Sequence, residues 1–170
     1  MKLFVGMLFD DSNVMQKASS LLKDLYGEID TNSPVWKFDF TKYYEKEMGK
    51  ELYRAFISFK RLISPEELSD IKITTNALEE TFYKKDSEKR SINLDPGYIA
   101  LSKLVLASTK DYTHRLYIGK GIYAEITLRY QAKKWDSWEW TYPDYKSPHY
   151  LEYFENLRIL YKNQIDIPGE

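Results

Sequence analysis

Between Asn93 and Glu125, 33 positions hold Asn93, Asp95, Lys103, Lys110, Asp111, His114, Arg115 and Glu125. Carboxylates, cations and one imidazole at that density suit two kinds of site. In the first, Asp95, Asp111 and Glu125, joined by His114, hold a hard divalent cation such as Mg²⁺ or Mn²⁺, and Lys103, Lys110 and Arg115 receive phosphate. In the second no metal takes part, and the basic groups clamp an anionic ligand with Arg115 as a bidentate fork. Asn93 adds an amide at the near end. His114 is the natural acid or base of the set, because imidazole is the side chain that changes charge nearest neutral pH. The other histidine, His149, is expected at the surface.

Each of these residues also has a purely structural use. Asp95 precedes Pro96-Gly97 and can serve as a turn or cap acceptor. Glu125 stands on an apolar run, Ile122-Tyr123-Ala124-Glu125-Ile126-Thr127-Leu128, where it can pair with Arg115 across a hairpin. Strict alternation along that hairpin would put Arg115 with Tyr117 on one face and His114 with Leu116 on the other, so His114 and Arg115 would not share a site. A second candidate is aromatic: Trp138, Trp140, Tyr142 and Tyr145 offer flat faces for a sugar, a nucleobase or a protein partner. Asn76 and Glu79, one helical turn apart, are further candidates to face the site.

The elements that must position these groups follow from periodicity. Lys2–Phe9 is a continuous apolar run, expected as a central strand. Asp11 or Ser12 caps a helix whose Val14, Ala18, Leu21, Leu22 and Leu25 recur at helical spacing, with Gly27 at its end. Trp36, Phe38 and Phe40 alternate as a strand, Thr41–Leu52 is a connection, and Ala55 to Ile63 alternate again. Ser64-Pro65-Glu66-Glu67 is a capping-box helix start, and Leu68, Ile71, Thr75, Leu78 and Phe82 form the buried stripe after it. The charged turn Lys84–Arg90 leads to a short strand at Ile92–Leu94.

Asp95-Pro96-Gly97 then reads either as a type II turn or as a helix start. Leu101, Leu104, Val105 and Ser108 favour a short helix. Thr113–Ile118 and Ile122–Gln131, joined by Gly119-Lys120-Gly121, read as a hairpin. Trp135, Trp138 and Trp140 extend its sheet or cover its end. Ser147-Pro148 starts a last helix carrying Leu151, Phe154, Leu157, Arg158 and Tyr161, and the tail from Asp166 is expected to fray. The fold class is α+β: a ferredoxin-like βαββαβ half over residues 1–95, extended over 96–170 by a helix, a β-hairpin and a C-terminal helix in one domain.

Composition bounds the partners. At 170 residues with 43% hydrophobic residues, the chain can bury roughly two-thirds of its unfolded surface as one domain. A charged fraction of 30% leaves a net charge of only −1, which gives no overall steering toward DNA or an anionic membrane. The absence of cysteine removes disulfides and thiolate chemistry and suits a reducing cytoplasm. The apolar start ends at Asp10-Asp11, too short for a membrane span and without a cleavage pattern.

Several strings together resemble the bacterial family DUF4416. They are Leu3-Phe4-Val5-Gly6-Met7-Leu8, Thr75-Asn76-Ala77-Leu78-Glu79-Glu80, Asn93-Leu94-Asp95-Pro96-Gly97-Tyr98, Lys103 to Asp111, His114-Arg115 and Trp140-Thr141-Tyr142-Pro143-Asp144-Tyr145. The resemblance runs over nearly the whole chain and implies no particular reaction. Some members carry GTP-binding labels, yet the chain has no Gly-x-x-x-x-Gly-Lys-Ser/Thr cradle, and Thr109-Lys110-Asp111 falls one residue short of a guanine-reading Thr-Lys-x-Asp. The expectation from the residues is a cytoplasmic binding protein or enzyme for a small phosphorylated or nucleotide-like anion. The alternative is a non-catalytic interaction or homo-oligomerisation module docking through Trp138, Trp140, Tyr142 and Tyr145.

Overall fold

The computed structural model describes residues 1–41, 43–83 and 90–166, apart from the side chain of residue 46. Most of the charged turn expected over Lys84–Arg90, and the tail beyond Asp166, lie outside these residues. The first apolar run is β1 (Lys2–Phe9), buried along its whole length. Helix α1 (Ser12–Tyr26) starts where the Asp11 carboxylate accepts the Asn13 N–H at 2.8 Å, and ends at Gly27 with φ +94. Its buried face is Ala18, Leu22 and Tyr26; Leu21 and Leu25, expected in that stripe, are exposed.

Strands β2 (Ile29–Asn32), β3 (Trp36–Phe38) and β4 (Leu52–Leu62) follow, with a single-turn helix α2 (Glu45–Met48) inside the expected connection. Helix α3 (Leu68–Glu80) continues from a tight turn at Pro65–Glu67, where the Glu67 carboxylate accepts the Ser64 N–H at 2.8 Å as a capping box requires. The second half supplies β5 (Ile92–Ala100), β6 (Lys103–Ser108), β7 (Leu116–Gly119), β8 (Ile122–Gln131) and β9 (Lys134–Ser137), closed by α4 (Pro148–Ile165). Among the described residues nine strands form one antiparallel sheet in the order β2-β4-β1-β5-β6-β8-β7, with β3 also on β4 and β9 also on β8.

Alternation along β1 sorts the core. Leu3, Val5, Met7 and Phe9 face α1 and α3. Phe4 faces α4, in a cluster with Phe56, Ile99, Leu104, Leu128, Tyr150 and Phe154. Among the described residues no helix is long and apolar enough to cross a membrane.

Two expectations are corrected. Asp95-Pro96-Gly97 is neither a turn nor a helix start but the middle of β5, where Pro96 sits opposite Val5 and Gly97 opposite Phe4. A Cβ on Gly97 would stand 2.4 Å from the Val105 carbonyl oxygen, so glycine is needed for the close approach of β6. The helix expected from Leu101 to Ser108 is instead a two-residue turn, Leu101-Ser102, and strand β6. The hairpin across Gly119-Lys120-Gly121 forms as expected, all three residues having positive φ.

Candidate functional site

Strand β5 is paired to β1 along nearly all of its length, but to β6 only from Gly97 to Ala100. From Ile92 to Pro96 its other edge is open. Successive backbone groups alternate between the two edges, so Leu94 and Pro96 both present theirs to the open side. Pro96 has no N–H to satisfy. The N–H of Leu94 donates to the Glu79 carboxylate at 2.6 Å, and its carbonyl accepts from Lys72 Nζ at 2.8 Å. Two side chains of α3 thus replace a missing strand. The divergence of β5 and β6 leaves a cavity of about 620 Å³, within the usual ligand-pocket range of roughly 300–1,000 Å³.

The deep end is built around Arg54 on β4. Its guanidinium lies between the rings of Phe38 and Phe56, and Gly6 leaves room for it: a Cβ there would stand 3.2 Å from Arg54 Nη1. Nη1 donates to Asp95 Oδ2 at 2.9 Å, and Nη2 lies 3.7 Å from Asp144 Oδ2. Burial alone would raise the Asp95 pKa, but Arg54 and Lys72 outweigh it and hold the carboxyl below its ordinary range. The balance is reversed at Asp144, where burial raises the pKa and Arg54 only partly offsets it. Burial likewise raises Glu79, against the opposing pull of Lys72 and the Leu94 N–H. Arg90 joins Glu79, Glu47 and the Asn93 amide oxygen.

The mouth is built around Arg115. It donates through Nε to Glu125 Oε2 at 2.8 Å, through Nη1 to Ser108 Oγ and the Lys110 carbonyl, and through Nη2 to Tyr142 Oη at 3.0 Å, while stacking over Tyr112. His114 Nε2 lies 3.0 Å from the same Glu125 oxygen. Both residues precede β7, so the alternation expected to separate them does not apply: Arg115 and His114 converge on one carboxylate. His114 then stacks on Trp140, Trp140 on Trp138, and Arg129 covers the far face of Trp138. Lys110 crosses the mouth to the Tyr43 hydroxyl at 2.6 Å.

The model of a family described as a domain of unknown function, DUF4416, matches residues 1–161. The chain belongs to that family. No curated protein and no solved structure matches it.

In this DUF4416 chain the cavity gathers Asn93, Asp95, Lys110, Arg115, Glu125 and Tyr142 from the expected set, with Asn76 and Glu79. Lys103, Asp111, His114 and Trp140 do not line it. Lys103 pairs with Ala100 and Arg129 at the far end of β6, and the flat faces of Trp140 are taken by His114 and Trp138. Of the proposed metal residues, Asp95 and Glu125 reach the cavity and Asp111 does not; among the described residues no three His, Asp or Glu side chains form a metal-holding group. Tyr145, offered as a docking residue, is buried, and His149 rests on Trp36 at 5.0 Å.

Sequence reasoning missed Arg54, Lys72, Tyr44 and Asp144. Two carried a signal. Arg54 stands between Leu52 and Phe56 on one apolar face of a strand, a charge at a core position. Lys72 and Glu79 share the face of Leu68 and Thr75 along α3, which is the buried stripe.

Proposed function

We propose that this chain binds a small organic anion, phosphorylated or nucleotide-like, in the cavity between β5 and β6. The observation that carries the reading is the state of the five cavity cations. Arg54, Arg90 and Arg115 are each paired with carboxylates. Lys72 donates to the Leu94 carbonyl, and its charge already acts on Asp95 and Glu79. Lys110 donates only to a phenol among the described residues, so it has charge to give to a ligand. The anion clamp is therefore Lys110, and Arg115 is a positioning residue that fixes the mouth. Tyr43, Tyr44, Tyr112 and Tyr142 supply flat walls for a planar group.

Thermal unfolding with a panel of nucleotides and sugar phosphates, with and without Mg²⁺ and Mn²⁺, tests this. A ligand at about 100 times its Kd adds about 2.7 kcal/mol, which is roughly 5–10 °C for a chain of this size. The Lys110→Ala variant loses that shift. If no compound moves the wild-type midpoint, the reading is wrong.

Two further readings go with it. The strand order β3-β4-β1-β5, with α1 and α3 packed on one face, supports a ferredoxin-like first half. The cysteine-free composition supports a cytoplasmic location.

A further inference from the structure

Carboxylates are concentrated at the buried end of the cavity, where Glu79, Asp95 and Asp144 meet Arg54 and Lys72. Arg90 bridges Glu79 to Glu47 nearer the rim. At the exposed end Arg115 is paired with Glu125, and Lys110 has no carboxylate partner among the described residues.

The groups left without a partner follow the same division. Asp95 gives one oxygen to Arg54, and its side chain keeps 24% of its surface exposed to the cavity. Among the described residues the Tyr44 hydroxyl and the Asn76 amide make no hydrogen bond, and both residues line the cavity. Arg54 and Lys72 hold the Asp95 carboxyl below its ordinary range despite its burial, and it acts on the Tyr44 hydroxyl across the cavity.

Resting on the anionic-ligand reading above, we infer that the ligand enters head first. A planar heterocycle carrying an exocyclic amino group seats that group at Asp95 against Tyr44, and the anionic tail stays at the mouth on Lys110. A sugar phosphate without such a head satisfies only half of the site.

Titration calorimetry on the full chain with nucleoside monophosphates separates the two claims. Adenosine, cytidine and guanosine monophosphates carry an exocyclic amino group, uridine monophosphate keeps only its ring N3–H, and ribose phosphate has no head. At least one amino-bearing probe is expected to bind roughly tenfold more tightly than both uridine monophosphate and ribose phosphate, the margin of one charge-assisted hydrogen bond. Asp95→Asn erases that margin, whereas Lys110→Ala weakens every probe by a similar factor. Because Asp95→Asn also disturbs Arg54, Tyr44→Phe is the second variant: it keeps the ring and lowers affinity for the amino-bearing probe alone. If uridine monophosphate or ribose phosphate binds as tightly as the rest, or the margin survives in both variants, the orientation is wrong and the anion site stands. If no probe binds, both readings fall.

Discussion

Strands β5 and β6 are joined at one end and separate at the other, and the two ends meet the same demand by opposite means. At the joined end, from Gly97 to Ala100, the ladder satisfies the backbone, and Ile99, Leu104 and Leu106 pack beneath α4. At the separated end the backbone of Leu94 is satisfied by Glu79 and Lys72, and polar side chains take the place of apolar ones. Ladder bonds are local and cheap, whereas side-chain substitutes need two buried charges with their own partners.

Breaking the joined end has the largest expected effect. Gly97→Val drives a side chain into the Val105 carbonyl, Phe4 and Leu106, and costs about 3 kcal/mol or more in chemical denaturation. Breaking the separated end costs less. Glu79→Ala leaves the Leu94 N–H and part of Arg90 unpaired, a loss of about 2–3 kcal/mol. Glu79→Gln keeps an acceptor for Leu94 and recovers part of it.

The two ends also differ in their response to pH, because titrating groups cluster at the separated one. Asp95 is held below its ordinary value of 3.8, so its contribution is complete above that value and is lost as pH falls through the lowered folded one. Asp95→Asn therefore flattens the acid limb of stability against pH. Glu79 is held above its ordinary 4.5, so the unfolded chain ionises first and stability declines as pH rises from there through the folded value. That decline disappears in Glu79→Gln. The smallest effect on stability is expected for Lys110→Ala, within about 0.5 kcal/mol for an exposed residue. A larger loss by thermal unfolding would make Lys110 a structural strut across the mouth.

The elements that sequence reading recovered are those whose signals are local. The Asp11 cap, the Ser64–Glu67 capping box, the apolar run of β1 and the Gly119–Gly121 turn each depend on residues within a few positions of one another. The misread elements depend on distant partners. Pro96 is tolerated in a strand because its edge is open, and Gly97 is required by Val105 on the next strand, so a sequence that spells a turn lies in the middle of a sheet. The Leu101-Ser102 turn has no Gly, Pro, Asn or Asp to mark it, and β2 is only four residues long with Asp30 and Thr31 at its centre. The site divides in the same way. Asn93, Asp95, Lys110, Arg115 and Glu125 were legible as a dense polar run, and Arg115 does pair with Glu125, though from the turn before β7 and not across the hairpin strands. Arg54 and Asp144 reach the cavity from β4 and from the turn before α4, contacts that only tertiary packing creates.

Pro96 has one more consequence. An unpaired stretch of strand is a template onto which a foreign chain can zip, the first step of aggregation. Here the exposed stretch offers an intruder almost nothing to grip: Pro96 has no N–H, and both polar groups of Leu94 are already bound by α3. The slot between β5 and β6 thereby gives another strand little backbone to pair with.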